Sequence, residues 1–137
     1  MVQQKFDLGR VGIWTGALDA VSSSEARRIA AQLEALGFPT LWIPETVGRD
    51  PFVTATLLLG ATSKLNIATG IANIYARDAV TMANTQRSLE EAFPGRFLLG
   101  LGVSHHHLVD RVRHHVYSKP YSSMASRYRT MYEYGLE

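Results

Sequence analysis

The chain has 137 residues, a net charge of +2, 46% hydrophobic residues and 19% charged residues. These values are typical of a globular protein with a real core, and we expect a single domain over residues 1–137. There is no cysteine, which excludes a disulfide framework and cysteine metal ligands and favours a cytoplasmic location.

Two classes of partner are not expected from this composition. The basic residues do not cluster with aromatic residues on one face, so we predict no nucleic-acid binding. The longest apolar stretch, residues 52–61, is too short to cross a bilayer, and residues 1–10 have no apolar core of a signal peptide. We therefore expect no membrane association.

Strand signals alternate with helix signals along the chain. Short apolar runs bounded by Gly or Pro predict strands at 9–14, 40–43, 65–71 and 97–101. Capping residues predict helices that begin after Ser22, Asp50 and Asp78 and end near Gly37, Gly60 and Phe93. Apolar spacing predicts a last helix over 123–134.

This alternation predicts an α/β fold with a parallel sheet and right-handed crossovers. The run 97–101 is apolar without alternation, as expected of a strand covered on both faces. Two architectures fit: an open doubly wound sheet, or a TIM-barrel type with four of eight β/α units, a half-barrel. In both, ligands bind at the carboxyl ends of the strands.

Polar and aromatic residues at these strand ends are candidates for chemistry. Glu45 could act as a general acid or base, and His105 could move a proton near neutral pH. Trp14 could stack on a planar ligand, and Asn73 could hold its polar edge. The alternative interpretation of each is structural: a solvated loop residue, a half-buried aromatic, or an amide that braces its own loop.

Two more specific sites are not favoured. Gly100 and Gly102 suggest a dinucleotide fingerprint, but its third glycine would stand at position 105, which is His105. Five histidines follow the fourth strand, at positions 105, 106, 107, 114 and 115. Their number and spacing match no known metal site, so no metal site is predicted.

Three segments, 35–45, 68–77 and 94–105, occur in an order that resembles the luciferase-like monooxygenase superfamily. The resemblance is to its coenzyme F-420 (deazaflavin)-dependent oxidoreductase branch, and to the N-terminal half only. It implies a TIM barrel with coenzyme F-420, or FMN as the alternative, at the carboxyl ends of the strands. It also implies a non-prolyl cis peptide after the third strand, in the region 71–73.

The resemblance assigns roles to particular residues. His105 and Glu45 are the implied catalytic residues. The implied cofactor-binding residues are Trp14, Gly70, Ile71, Ala72, Asn73, Gly102 and Ser104. The implied reaction is hydride transfer to, or monooxygenation of, a small organic substrate, with the redox chemistry carried by the cofactor.

Four strands would leave two open sheet edges, so we expect a homodimer or another oligomer. In TIM barrels the phosphate site lies after strands seven and eight. One alternative is therefore a non-catalytic assembly or interaction protein that binds no cofactor on its own. Another is a small open α/β module that holds a phosphate at a helix N-terminus such as that near Asp78.

Overall fold

The computed structural model of the protein describes residues 6–134, so the outermost residues of the predicted domain lie outside it. Six short strands and four α-helices follow one another along the chain. The strands are β1 (Ile13–Trp14), β2 (Thr40–Ile43), β3 (Asn66–Thr69), β4 (Ala72–Asn73), β5 (Phe97–Leu98) and β6 (Leu101–Gly102). The helices are α1 (Ser23–Ala35), α2 (Pro51–Gly60), α3 (Ala79–Ala92) and α4 (Pro120–Glu133).

The main sheet decides between the two predicted architectures. Its four strands are parallel and lie in the order β1-β2-β3-β5, with Ile13, Leu41, Ile67 and Phe97 side by side. A doubly wound sheet reverses its strand order at a switch point, whereas strictly sequential order places the helices on one face. The predicted half-barrel is therefore confirmed, and the doubly wound alternative is wrong.

The two faces of this sheet have different surroundings. Leu41, Ile43, Ile67 and Phe97 are buried in the core that the helices cover. Because side chains alternate along a strand, the neighbouring positions face the other way, toward what would be the inside of a barrel. We call this the lumen face. It carries Gly12, Trp14, Trp42, Ala68 and Leu98, and Trp14 is 62% exposed.

The three predicted helix starts are confirmed by their caps. Ser22 Oγ accepts a hydrogen bond from the amide of Glu25 at 3.2 Å. Asp50 Oδ1 accepts from the amide of Phe52 at 2.9 Å, and Asp78 Oδ1 from that of Thr81 at 2.9 Å. Each cap satisfies amides that have no partner within the helix, which fixes the point where each strand-to-helix loop ends.

The predicted third and fourth strands are each longer than the observed ones. The third stops at Thr69 and the fourth is interrupted after Leu98. Thr69 Oγ1 accepts from the amide of Gly100 at 2.8 Å and donates to its carbonyl at 2.9 Å, which replaces the ladder at this point. Beyond this point the two segments pair again as the separate parallel strands β4 and β6.

Two other predicted boundaries are also wrong. The first strand begins at Ile13 instead of residue 9, because Asp7 and Gly9 form a turn in which Gly9 has a φ of +68°. The last helix begins at Pro120 instead of residue 123, since proline fits the first turn of a helix. A 3₁₀ turn at Ala17–Ala20 and a π-helix at His107–Val112 were not predicted.

Glu34, at the end of α1, holds the loop that leads into β3. Its carboxylate accepts from the amides of Ser63 at 2.9 Å and Leu65 at 2.8 Å. Burial alone would raise the pKa of Glu34, but the backbone hydrogen bonds outweigh burial and leave that pKa below its ordinary value. The stabilisation is therefore present above the unfolded-state pKa and is lost as the pH falls through the folded-state value.

We expect Glu34→Gln to lower the free energy of unfolding by about 1 kcal/mol at neutral pH, because a neutral amide accepts these hydrogen bonds less strongly. Urea unfolding at a series of pH values measures the effect, and the two proteins should converge in acid. Glu91→Gln, at an exposed position on α3, is the matched control and should change little. An equal loss for both variants at neutral pH would contradict this account.

Candidate functional site

Trp14 and the segment after β3 meet at the carboxyl edge of the sheet. The indole Nε1 of Trp14 donates to the carbonyl of Gly70 at 2.7 Å, across the end of β2. A Cβ at Gly70 would lie 3.1 Å from Trp14 Cδ1 and 3.4 Å from Trp42 Cε3. Glycine therefore allows both indole rings to approach the backbone closely.

A cis peptide bond joins Gly70 to Ile71, at the start of the region 71–73 in which the resemblance implied one. The end of β2 holds this segment through two backbone hydrogen bonds. Gly70 N donates to Ile43 O at 2.8 Å, and Glu45 N donates to Ile71 O at 3.1 Å. Gly102 lies beside it, and a Cβ there would lie 2.7 Å from Ile71 Cδ1. We call Trp14, Gly70, Ile71 and Gly102 the carboxyl-edge shelf; all four are at least partly exposed.

Ala72 and Asn73, both implied cofactor-binding residues, are fully buried. Asn73 Oδ1 accepts from the amide of Tyr75 at 2.9 Å. Its Nδ2 is buried without a hydrogen-bond partner among the described residues. In this structure the two residues lie beneath the shelf and support it.

Glu45 is buried, although the sequence analysis considered it a loop residue; its side chain is 3% exposed. Its Oε2 accepts from the amide of Asn73 at 2.8 Å and from Arg77 Nη1 at 2.9 Å. Its Oε1 lies 3.4 Å from Arg113 Nη2. The carboxylate therefore ties β4 to the loop after β2 and to the long loop before α4.

Arg77 joins Glu45 to the N-terminus of α2. Its Nη2 lies 2.6 Å from Asp50 Oδ2, and its guanidinium lies 4.6 Å from the ring centre of Phe52. Burial would raise the pKa of Asp50, but the hydrogen bond from Arg77 and the capping amides outweigh it, so this pKa lies below its ordinary value. Asp50 is therefore anionic at neutral pH.

Ser104 and His105 follow β6 at the same edge. Ser104 has a φ of 58°, and His105 is exposed. No hydrogen bond joins the side chains of His105 and Glu45 within residues 6–134. The structure thus brings four of the predicted residues together as the shelf, keeps Glu45 in a buried ion network, and leaves His105 exposed in the loop that follows β6.

The segment 103–119, which contains the π-helix, packs along this edge. Arg113 Nη2 donates to the carbonyl of Thr46 at 3.0 Å, and His115 Nδ1 lies 2.8 Å from the carbonyl of Tyr75. An open pocket of about 450 Å³ lies between this segment and the loop after β2. Its charged lining residues are Glu45, Arg49, Asp50, Arg77 and Arg113, which makes it slightly cationic.

Sequence reasoning missed the participation of Trp42 and the whole of the ion network. Arg77 and Asp50 both stand at element ends, but spacing alone could not show that Arg77 bridges Asp50 and Glu45. Among the described residues, no group of three or more His, Asp or Glu side chains is placed to hold a metal ion. No helix in that part of the chain has the length and hydropathy to span a membrane.

A family model supplies the deciding comparison, since the model for luciferase-like monooxygenases matches residues 6–135. The chain belongs to the luciferase-like monooxygenase family. This confirms the resemblance drawn from the three sequence segments.

Individual family members are similar at moderate identity. The chain is 37% identical over 92 residues to a 5,10-methylenetetrahydromethanopterin reductase from Methanolobus tindarius, a match that covers 64% of this chain and 28% of that protein. It is 26% identical over 95 residues to a putative coenzyme F-420-dependent oxidoreductase from Mycobacterium tuberculosis, covering 69% of this chain and 27% of that protein. The chain thus spans less than a third of these relatives.

Solved structures share the fold. The coenzyme F-420-dependent tetrahydromethanopterin reductase from Methanopyrus kandleri superposes with a TM-score of 0.75 at 19% identity, over 90% of this chain and 39% of that chain. The oxygenating constituent of 3,6-diketocamphane monooxygenase from Pseudomonas putida, solved with FMN, gives a TM-score of 0.76 at 13% identity, over 89% of this chain and 38% of that one. These likenesses agree with a partial TIM barrel.

Proposed function

We propose that this chain provides the ring-binding part of a flavin- or deazaflavin-dependent oxidoreductase. The observation that carries the proposal is the carboxyl-edge shelf, in which the exposed ring of Trp14 is fixed to the Gly70 carbonyl beside Ile71 and Gly102. Family relatives include a protein named as coenzyme F-420-dependent and a structure solved with FMN. Both cofactors carry a planar ring.

The residues present fit such a ring. Glycine at positions 70 and 102 leaves no side chain between the backbone and the neighbouring Trp14 and Ile71. The indole of Trp14, the side chain of Ile71 and the glycine backbone therefore lie side by side at the sheet edge, and an aromatic side chain of this kind can stack on a planar ring. Trp14 and Ile71 would hold the ring, and the cofactor, when bound, supplies hydride transfer or oxygen chemistry.

Glu45 and His105 have different parts in the proposal. Glu45 is enclosed by Asn73, Arg77 and Arg113, so it positions the backbone under the shelf. His105 is exposed at the strand end and is the proposed residue that moves a proton to or from a small organic substrate. Coenzyme F-420 is the first choice of cofactor, FMN is the second, and the proposed location is the cytoplasm.

Binding of the ring to the full chain tests the proposal. Oxidised FMN and oxidised coenzyme F-420 are titrated separately while the protein's tryptophan fluorescence and the heat of binding are recorded. We expect quenching with at least one of them, and Trp14→Ala should weaken binding about tenfold, because a stacked aromatic contributes about 1 kcal/mol or more.

The matched control is Val53→Ala, an exposed position on the outer side of α2, which should leave the dissociation constant unchanged. Trp14→Phe keeps a ring but removes the hydrogen bond to Gly70, and should fall between wild type and Trp14→Ala. Absence of heat and quenching with both cofactors at high micromolar concentration would refute the proposed function for this chain.

A further inference from the structure

The open pocket of about 450 Å³ belongs to the two middle strands of the sheet. It is lined by residues 45–50, which follow β2, by residues 76–77, which follow β4, and by Arg113. β4 continues the segment of β3, and both β2 and β3 have a strand on either side. Glu45 joins the pocket to the carboxyl-edge shelf, because its amide donates to Ile71 O and the residue also lines the pocket.

Each oxygen of the two carboxylates in the pocket already has a partner within the protein. Glu45 Oε2 accepts from Asn73 N and Arg77 Nη1. Its Oε1 accepts from Arg113 Nη2 at 3.4 Å. Asp50 Oδ1 accepts from the capping amides of α2, and its Oδ2 accepts from Arg77 Nη2 at 2.6 Å. A ligand that enters the pocket therefore meets no carboxylate oxygen that lacks a donor.

Two of the arginines in the pocket are less completely paired. Arg49 is partly exposed and donates through Nη2 to the carbonyl of Val21, and no carboxylate of residues 6–134 lies within 4 Å of its guanidinium. Arg113 Nε is buried without a hydrogen-bond partner in the described part of the chain. Asp19 accepts from Thr46 Oγ1 but does not line the pocket. Three arginines thus face two carboxylates, which leaves one positive charge without a counterion.

The donors of the pocket suit a carboxylate better than a phosphate. A phosphate site commonly uses free amides at a helix N-terminus, but Asp50 already accepts from the amides of Phe52 and Val53 at the start of α2. No lysine is among the residues that line the pocket. A guanidinium presents its N–H groups as a planar fork, which matches the two oxygens of a carboxylate.

We propose that Arg49 and Arg113 bind the carboxylate of a small organic acid, and that such acids are the substrate class of this site. The pocket volume of about 450 Å³ lies within the range of about 300–1,000 Å³ that is usual for small-molecule sites. The bound acid would lie beside the shelf on which the cofactor ring is proposed to stack. The identification of the acid as the substrate rests on the proposed function, whereas carboxylate binding by the two arginines does not.

Titration of the ¹⁵N-labelled full chain with acetate, succinate and benzoate, in the absence of cofactor, tests the pocket. We expect at least one of these acids to shift the amide signals of Val47 and Gly48 and the Nε–H signals of Arg49 and Arg113. Benzamide has the shape of benzoate but no charge, and it should bind about tenfold more weakly or worse. Arg49→Met should raise the dissociation constant about tenfold, and Arg49→Lys, which keeps the charge but not the fork, should lie between Arg49→Met and wild type.

Arg27→Met, which removes the same charge at an exposed position on α1, is the matched control and should leave the dissociation constant unchanged. Circular dichroism checks that each variant is folded, and the comparison of benzoate with benzamide on the wild type decides the question if Arg49→Met is not.

Four results would each overturn the proposal: equal binding of benzoate and benzamide, an equal loss in Arg27→Met and Arg49→Met, no shift in the pocket with any of the three acids, or stronger binding of inorganic phosphate than of the acids. The last result would assign the pocket to the phosphate of a cofactor. Binding of an acid in the pocket without any binding of FMN or coenzyme F-420 would refute the proposed function and leave the carboxylate site in place.

Discussion

Gly100→Ala is expected to destabilise the protein by about 3 kcal/mol, the upper range for overpacking a core. A Cβ at this position would collide with the carbonyl oxygen of Thr69, which is backbone and cannot rotate away. The substitution would also disturb both hydrogen bonds between Thr69 Oγ1 and Gly100, and with them the start of the β4–β6 pair. Thermal and urea unfolding of the full chain measure the loss.

Gly60→Ala is the matched control, because a Cβ there meets nothing within 4 Å and Gly60 is in the last turn of α2. It should leave stability unchanged or raise it slightly, since alanine is the better helix former. Similar unfolding free energies for the two alanine variants would contradict the interpretation that Thr69 and Gly100 are packed backbone to backbone.

Arg77→Met is expected to lower the free energy of unfolding by about 3 kcal/mol, the cost of leaving a buried charge without its main partner. The Arg77 and Glu45 side chains are 14% and 3% exposed, so the pair is largely shielded from water. Arg113 still reaches Glu45 at 3.4 Å, which keeps the expected loss at the lower end of the range. Denaturant unfolding at neutral pH measures this loss.

The substitution should also change how the free energy of unfolding depends on pH, because Arg77 contacts Asp50. Its pKa is held below the ordinary value partly by Arg77, so its stabilisation is present above the unfolded-state pKa and is lost as the pH falls through the folded-state value. Removing Arg77 raises that folded-state pKa. The part of the acid loss of stability that comes from Asp50 should therefore be smaller in Arg77→Met and should be complete at a higher pH than in the wild type.

Two further variants test whether the loss in Arg77→Met depends on the burial of the ion pair. Arg28→Met removes the partner of Glu25 in a surface pair, where the side chains are 57% and 37% exposed, and it should change the stability little, because water solvates the carboxylate that is left. The double variant Glu45→Gln with Arg77→Met should recover part of the single variant's loss, because no buried charge is then unpaired. An equal cost for Arg28→Met and Arg77→Met would contradict the role of the network.

The strands and helices of the half-barrel could be predicted because their signals, such as helix caps and short apolar runs, lie within a few residues of each other. Ser22, Asp50 and Asp78 cap the helices as predicted, and residues 40–43 form β2 without correction. What sequence could not give is contact between distant segments. The hydrogen bonds between Thr69 and Gly100 make β3 and β5 shorter than predicted. Neither apolar run contains a signal that indicates this contact.

The sequence predicts that the candidate residues stand at strand ends, but it does not predict how they are arranged. Glu45 stands at a strand end, where a solvated carboxylate is as common as a buried one, and only the fold brings Arg77 and Arg113 to it. Trp14 was expected to face a ligand. Its hydrogen bond to Gly70 could not be predicted, because it joins residues 56 positions apart. The sequence therefore places these residues at the carboxyl edge of the sheet, and tertiary contacts decide which side chains form its surface.

The most direct test of the central claim is a nuclear magnetic resonance titration of the ¹⁵N-labelled full chain with oxidised FMN and with oxidised coenzyme F-420. If the carboxyl-edge shelf holds the ring, the amide signals of Gly70, Ile71 and Gly102 and the indole signal of Trp14 shift together, while that of Val53 on α2 stays in place. Shifts confined to other surfaces, or none at saturating ligand, would contradict the claim.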